Sequence, residues 1–373
     1  MTVPGTTSIM FTMSNDHRPL VPLHPFSLEI DLLDRMLNFE ITGDPHYSGL
    51  EIQVFDDRDH GRGMLVFLSR SSDGNIDVYF EHGLQLDPAS YAIGNGLGEW
   101  VETEFETASL VVDPKGVRAN VRFVDTKHRL IEVHAGDRTP RGRRTAAFLA
   151  PMGAAIAEPR SLPLIWMSKF DLIHRSGPSP VVRIDGREAD LGRLPAEWLI
   201  RRRLIKVTSD LCAVSVNPAQ VNSIALDALD TGGETVGSGR GTEAIVGSKG
   251  GHEVRFEFEP SFPELNKPAE VGASDGAWSI AIDGAPIIAG AWHVRPGDGE
   301  VRVDLDVTEG WQPKGLPLLM SVVTRVAAVF RSWPTTYRWT ATVVDGDKPT
   351  MTSQWIRADS DRGESYRSFT RSS

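Results

Sequence analysis

Residues 310–344 read GWQPKGLPLLMSVVTRVAAVFRSWPTTYRWTATVV, and the two parts of this stretch follow different periods. Leu316, Leu319, Met320, Val323, Ala327 and Phe330 recur at helical spacing, with Ser321, Thr324, Arg325 and Arg331 on other faces. Pro317 suits a first helical turn, where its missing N–H costs nothing. Pro334 forbids continuation. The spacing therefore predicts one long apolar helix over 316–330. Beyond it Tyr337, Trp339, Ala341 and Val343 alternate with Arg338, Thr340 and Thr342, the period-2 mark of a strand with one buried face.

Working outward, the strand signal dominates. Val254, Phe256 and Phe258 alternate with Glu253, Arg255 and Glu257; Val301, Val303, Leu305 and Val307 alternate with Arg302, Asp304 and Asp306. In the first half, Val117, Ala119, Val121 and Phe123 share one face, entered through the turn Asp113-Pro114-Lys115-Gly116. Strands at this spacing, joined by hairpin turns, predict a mainly β, antiparallel protein and not alternating βαβ units. Thr145 to Val207 is mixed, with a short helix expected over 195–204. Residues 230–251 contain eight glycines and predict a linker or long loop. The expected organisation is an irregular segment over 1–25, a first β domain over 26–229, that linker over 230–251, a second β domain over 252–358, and a flexible tail over 359–373.

The chain has 373 residues, enough for two cores, and a formal charge of −11 from 39 basic and 50 acidic residues. That balance disfavours a nucleic-acid partner. The single cysteine, Cys212, excludes an internal disulfide framework and a multi-cysteine metal site, and fits a reducing compartment. The first 20 residues lack a basic region followed by an apolar one, so a cytoplasmic protein is expected. No run of 18 apolar residues occurs, because Thr324 and Arg325 interrupt 316–330; no membrane span is expected. Oligomeric state is not legible.

Three Gly-x-Trp triplets occur: Gly98-Glu99-Trp100, Gly276-Ala277-Trp278 and Gly290-Ala291-Trp292. With two β-rich regions, they make the chain resemble the two-domain lipocalin-like (calycin) proteins, whose members include carotenoid hydratases and pericyclase-type cyclases. The resemblance concerns architecture: two lipocalin-like barrels or sandwiches, with the long helix outside the second. It implies an apolar-lined cavity for a small hydrophobic molecule. No catalytic residue carries over from it. Trp100 also lies too far into its half for the first-strand position that this signature occupies.

The residues offer few chemical candidates. Asp77, Tyr79 and Glu81 fall on one face of a strand. A carboxylate beside a phenol inside a barrel can act as proton donor, with Tyr79 orienting it, for a cofactor-free hydration, isomerisation or cyclisation. The same pattern also describes a strand with Val78 and Phe80 in the core and the acids in solvent. Trp292, His293, Tyr337 and Trp339 are the candidate ligand-binding residues, although aromatic residues equally build cores, and Trp292 and His293 should point to opposite faces. The loop Asp56-Asp57-Arg58-Asp59-His60 has oxygen ligands but no EF-hand spacing, and reads as a hairpin turn; no metal site is expected. No nucleotide-binding glycine motif, Gly-x-Ser-x-Gly elbow or His-Glu-x-x-His motif occurs, so no cofactor is expected. Two functional classes stand at this point: a binder of a small apolar molecule, with or without catalysis, and a non-catalytic β-sandwich module that meets carbohydrate or protein through surface aromatic residues.

Overall fold

Alternation of apolar and polar residues becomes strand almost wherever it occurs. The computed structural model describes residues 22–91, 96–139, 142–151, 158–194, 197, 201–238, 241–313, 316, 324 and 333–357. The protein is mainly β: of the described residues 62% are strand and 3% helix, and the strands form three sheets. Apart from Leu316 and Thr324, the helix expected over 316–330 lies outside the described residues. So do the tail over 359–373 and most of the N-terminal segment. Half of the short helix expected over 195–204 also lies outside them, and its last residues belong to the strand Arg202–Thr208.

The first sheet runs edge to edge through Leu28–Leu33, Leu211–Val216, Leu162–His174, Arg202–Thr208, Arg35–Thr42, Tyr47–Asp57, Gly61–Arg70, Ile76–Phe80 and Leu97–Glu102. All its pairings are antiparallel except Ile76–Phe80 with Leu97–Glu102, which are parallel. The second sheet holds Phe105–Asp113, Gly116–Val124, Leu130–Arg138 and Val181–Ile184, with Arg187–Glu188 at its edge. It stacks on the first: Leu37, Phe39, Ile52 and Val66 meet Val117, Val121, Phe123 and Val133 in one core. A buried tie crosses this interface. The Tyr47 hydroxyl donates to Asp125 at 3.1 Å and accepts from Arg129 at 2.7 Å.

The third sheet is a nine-stranded antiparallel meander. Its order is Ile224–Ala225, Thr350–Arg357, Tyr337–Val344, Glu300–Glu309, Ala285–Pro296, Ser274–Ile282, His252–Phe262, Gly241–Lys249 and Glu234–Ser238. The glycine-rich stretch expected as a linker is thus largely strand. Its glycines serve close approaches: a Cβ on Gly247 would lie 2.6 Å from Ile30, and Gly250 closes the hairpin with a positive φ of 56°.

Phe26 shows that this third sheet curls. Its ring lies 4.7 Å from Phe258 and 5.7 Å from Trp339, on strands four steps apart. In a flat sheet those strands would stand about 19 Å apart. The sheet bends around Phe26, which belongs to the first half of the chain. Leu28, Leu162, Leu164, Trp166, Cys212 and Val216 join the same core as Trp278, Trp292, Leu305 and Trp339. The two regions expected as separate domains therefore share a core. Among the described residues, no helix is long and apolar enough to cross a membrane.

Candidate functional site

The concave face of the curled sheet carries four tryptophans. Register places Gly276, Trp292, Leu305, Trp339 and Trp355 in one transverse row, and Phe258, Trp278, Gly290 and Val307 in the next. All four tryptophans are at most 2% exposed. Two have satisfied indoles. Trp278 Nε1 donates to the Ala291 carbonyl at 3.1 Å, and Trp355 Nε1 donates to the carbonyls of Val216 and Asn217 at 3.1 and 2.8 Å. The other two do not. Trp292 Nε1 and Trp339 Nε1 are buried without an acceptor among the described residues, as are Trp166 Nε1 and Thr242 Oγ1. Leaving a buried donor unsatisfied costs about 1–3 kcal/mol. Trp292 and Trp339 sit two strands apart, about 10 Å. Phe262 stacks edge-on against Trp292 at 5.3 Å, and Phe26 links Phe262 to Trp339.

Tyr337 extends this face toward one end of the strand. It is fully buried, and burial raises its pKa, while the Arg357 guanidinium 5.2 Å over its ring acts in the other direction. Its hydroxyl interacts with Trp333. Trp333 lines a narrow cleft of about 30 Å³ with Trp311, Pro313 and Thr324. Trp311 in turn meets the Trp166 ring edge-to-face at 6.0 Å.

Of the four expected ligand-binding residues, the structure brings together Trp292, Tyr337 and Trp339. His293 faces outward as the alternation requires; it is half-buried, 4.0 Å from Asp306. Asp77, Tyr79 and Glu81 lie in the first sheet, outside this interior. Asp77 is 2% exposed, and its Oδ1 accepts from Arg70 Nε at 2.8 Å and from the Glu99 amide at 2.8 Å. Tyr79 faces the core between the first two sheets. Its hydroxyl oxygen accepts from the Thr126 amide at 3.3 Å, and burial raises its pKa. Glu81 follows the strand end, and its Oε2 accepts from the Met64 amide at 2.6 Å. Both faces of Ile76–Phe80 are buried, so Asp77 is not in solvent, whereas Glu81, past the strand end, is half-buried; neither lies in the tryptophan-lined interior.

Asp57, in the acidic hairpin, accepts from the amides of Asp59 and His60 at 2.8 Å each, the geometry of a self-capped turn. No group of three or more metal-ligating side chains is found among the described residues. Phe26, Trp166, Thr242 and Trp355 also belong to the interior. Only Trp355 has a local signal, because it alternates with Gln354 and Ile356 in a strand. Phe26 follows Pro25 in a stretch with no period and reaches strands more than 230 residues away, so nothing in its own neighbourhood points to the role. No protein-family model matches the chain, and neither a curated protein nor a solved structure matches it.

Proposed function

We propose that the protein binds a small, largely apolar molecule bearing a hydrogen-bond acceptor, held by the aromatic face of the curled sheet and reached through the cleft beside Tyr337. The observation that carries this reading is the pair of orphaned indoles. Trp278 and Trp355 show that the same sheet satisfies a tryptophan N–H where it can. Trp292 and Trp339 find no acceptor among the described residues of the same core, and an acceptor atom on a ligand would recover that cost. In this reading the sheet serves as a lipocalin-like cup.

Binding is favoured over turnover. Asp77 is held by an ion pair to Arg70, and Glu81 is spent on a backbone amide, so neither presents a free acid to the aromatic interior. Burial of all four tryptophans favours an enclosed ligand over a surface platform for carbohydrate or protein.

Native mass spectrometry of the protein purified from its host tests this. A retained small mass is expected, removed by organic extraction, with weaker retention in the Trp292→Phe and Trp339→Phe variants. A high-resolution crystal structure with ordered water on both Nε1 atoms, together with no retained mass, would overturn the reading.

A further inference from the structure

The tip of one hairpin in the third sheet, residues 249–252, is fastened to the first half of the chain by charge. Lys249 Nζ lies 2.6 Å from Asp59 and 3.6 Å from Asp31. Across the tip, His252 Nε2 lies 2.8 Å from Asp210, and its Nδ1 lies 2.8 Å from Asp283 in the neighbouring turn of its own sheet. Asp210 also meets Ser168 at 2.6 Å and Lys169 at 3.2 Å. Beside Lys249, His60 repeats the arrangement: Nε2 is 3.1 Å from Asp31 and Nδ1 2.9 Å from Asp57. Tyr91 feels Asp31 and Asp57, and the Glu253 amide donates to Asp283 at 3.1 Å. Beneath the tip, Cys212 is buried and feels Asp31, Asp210, Asp283 and Lys249.

An imidazole between two carboxylates can donate to both only when it is protonated, since the neutral ring has one N–H. Five carboxylates (Asp31, Asp57, Asp59, Asp210 and Asp283) face Lys249, Lys169 and the two histidines. With both rings charged, the cluster is one positive charge short of neutral; with both neutral, three short. We propose that residues 249–252 form a proton-operated clasp, closed while His60 and His252 are charged and loosened when they lose their protons. This rests on ionic geometry alone and is independent of the ligand reading.

The titration window supports it. His60 is raised from its ordinary 6.5 to about 9, first by the hydrogen bond to Asp31, against the cost of burial, and then by Asp57. For His252, burial acts against the charged form, and the hydrogen bonds to Asp283 and Asp210 outweigh it, leaving its pKa raised. A raised pKa gives stabilisation that is complete below the unfolded value and is lost as pH rises through the folded one. The clasp is therefore shut at about pH 6 and opens toward about pH 9 and above. The shared core around Phe26 is apolar and does not titrate this way, so the opening is local.

NMR titration of the histidines in the full chain tests the clasp, together with amide exchange corrected for its intrinsic pH dependence. His60 and His252 should titrate above 6.5. Protection at the amides of residues 249–252 and 28–33 should fall about tenfold between about pH 6 and pH 9.5, while Val301–Leu305 changes little. In His252→Gln the fall at the tip should be smaller. If that variant does not fold, the wild-type titration and exchange decide. Titration of both histidines at or below 6.5, or tip protection constant within about twofold, would overturn the clasp.

Discussion

Gly290 stands directly opposite Trp278 across the Ser274–Ile282 and Ala285–Pro296 pair, and Gly276 stands opposite Trp292. Each glycine of one Gly-Ala-Trp triplet leaves room for the tryptophan of the other. A Cβ on Gly290 would lie 2.7 Å from Trp278 Cε2, and one on Gly276 would lie 2.6 Å from Trp292 Cε2. The paired triplets are a reciprocal packing device.

Gly290→Ala should therefore be strongly destabilising, by about 3 kcal/mol or more, because its Cβ would also run into the Asp306 carbonyl, which belongs to the backbone and cannot rotate away. Gly276→Ala should have the same sign, with the Glu259 carbonyl 2.7 Å away. Gly272 has open space around it, so Gly272→Ala should stay within about 0.5 kcal/mol of wild type in the same denaturant titration.

The two classes of tryptophan should separate by mutation. Trp355→Phe loses both volume and a donor shared by two carbonyls, whereas Trp339→Phe loses volume and an unsatisfied N–H. In ligand-stripped protein, Trp355→Phe should cost about 1–3 kcal/mol more than Trp339→Phe by chemical denaturation. Equal costs would mean that the Trp339 indole has an acceptor in solution.

Asp77→Asn should destabilise by about 3 kcal/mol, because Arg70, whose side chain is 21% exposed, loses its carboxylate and the Glu99 amide loses a charged acceptor. Glu81→Gln keeps an oxygen facing the Met64 amide and should cost about 1 kcal/mol or less. Thermal melts of the two variants side by side read this difference.

Acid should act on His24. Burial pushes its pKa down to about 4, and Nδ1 accepts from the Phe26 amide at 3.3 Å while Nε2 faces Thr235 Oγ1 at 2.9 Å. The depressed value means that the unfolded chain binds the proton more readily. Stabilisation is complete above 6.5 and declines as pH falls toward 4. His24→Gln should flatten the melting temperature against pH over that interval, relative to wild type.

Period-2 alternation alone identified the strands Tyr337–Val344, Glu300–Glu309, His252–Phe262 and Gly116–Val124, because a strand with one buried face writes its environment into its own residues. It likewise put Trp292 and His293 on opposite faces, and Tyr337 and Trp339 on the same one. The glycine-rich stretch 230–251 misled, since glycines that admit Ile30 and Leu32 of a distant strand look locally like a linker. Tertiary structure alone decided that the third sheet curls, that Phe26 fills it, and that the two β regions share a core. It also decided which tryptophans find an acceptor: Trp355 reaches carbonyls almost 140 residues away, and Trp339 reaches none among the described residues. Strand formation follows from neighbours two residues apart, whereas closure and hydrogen-bond satisfaction depend on partners that the chain brings together only when folded.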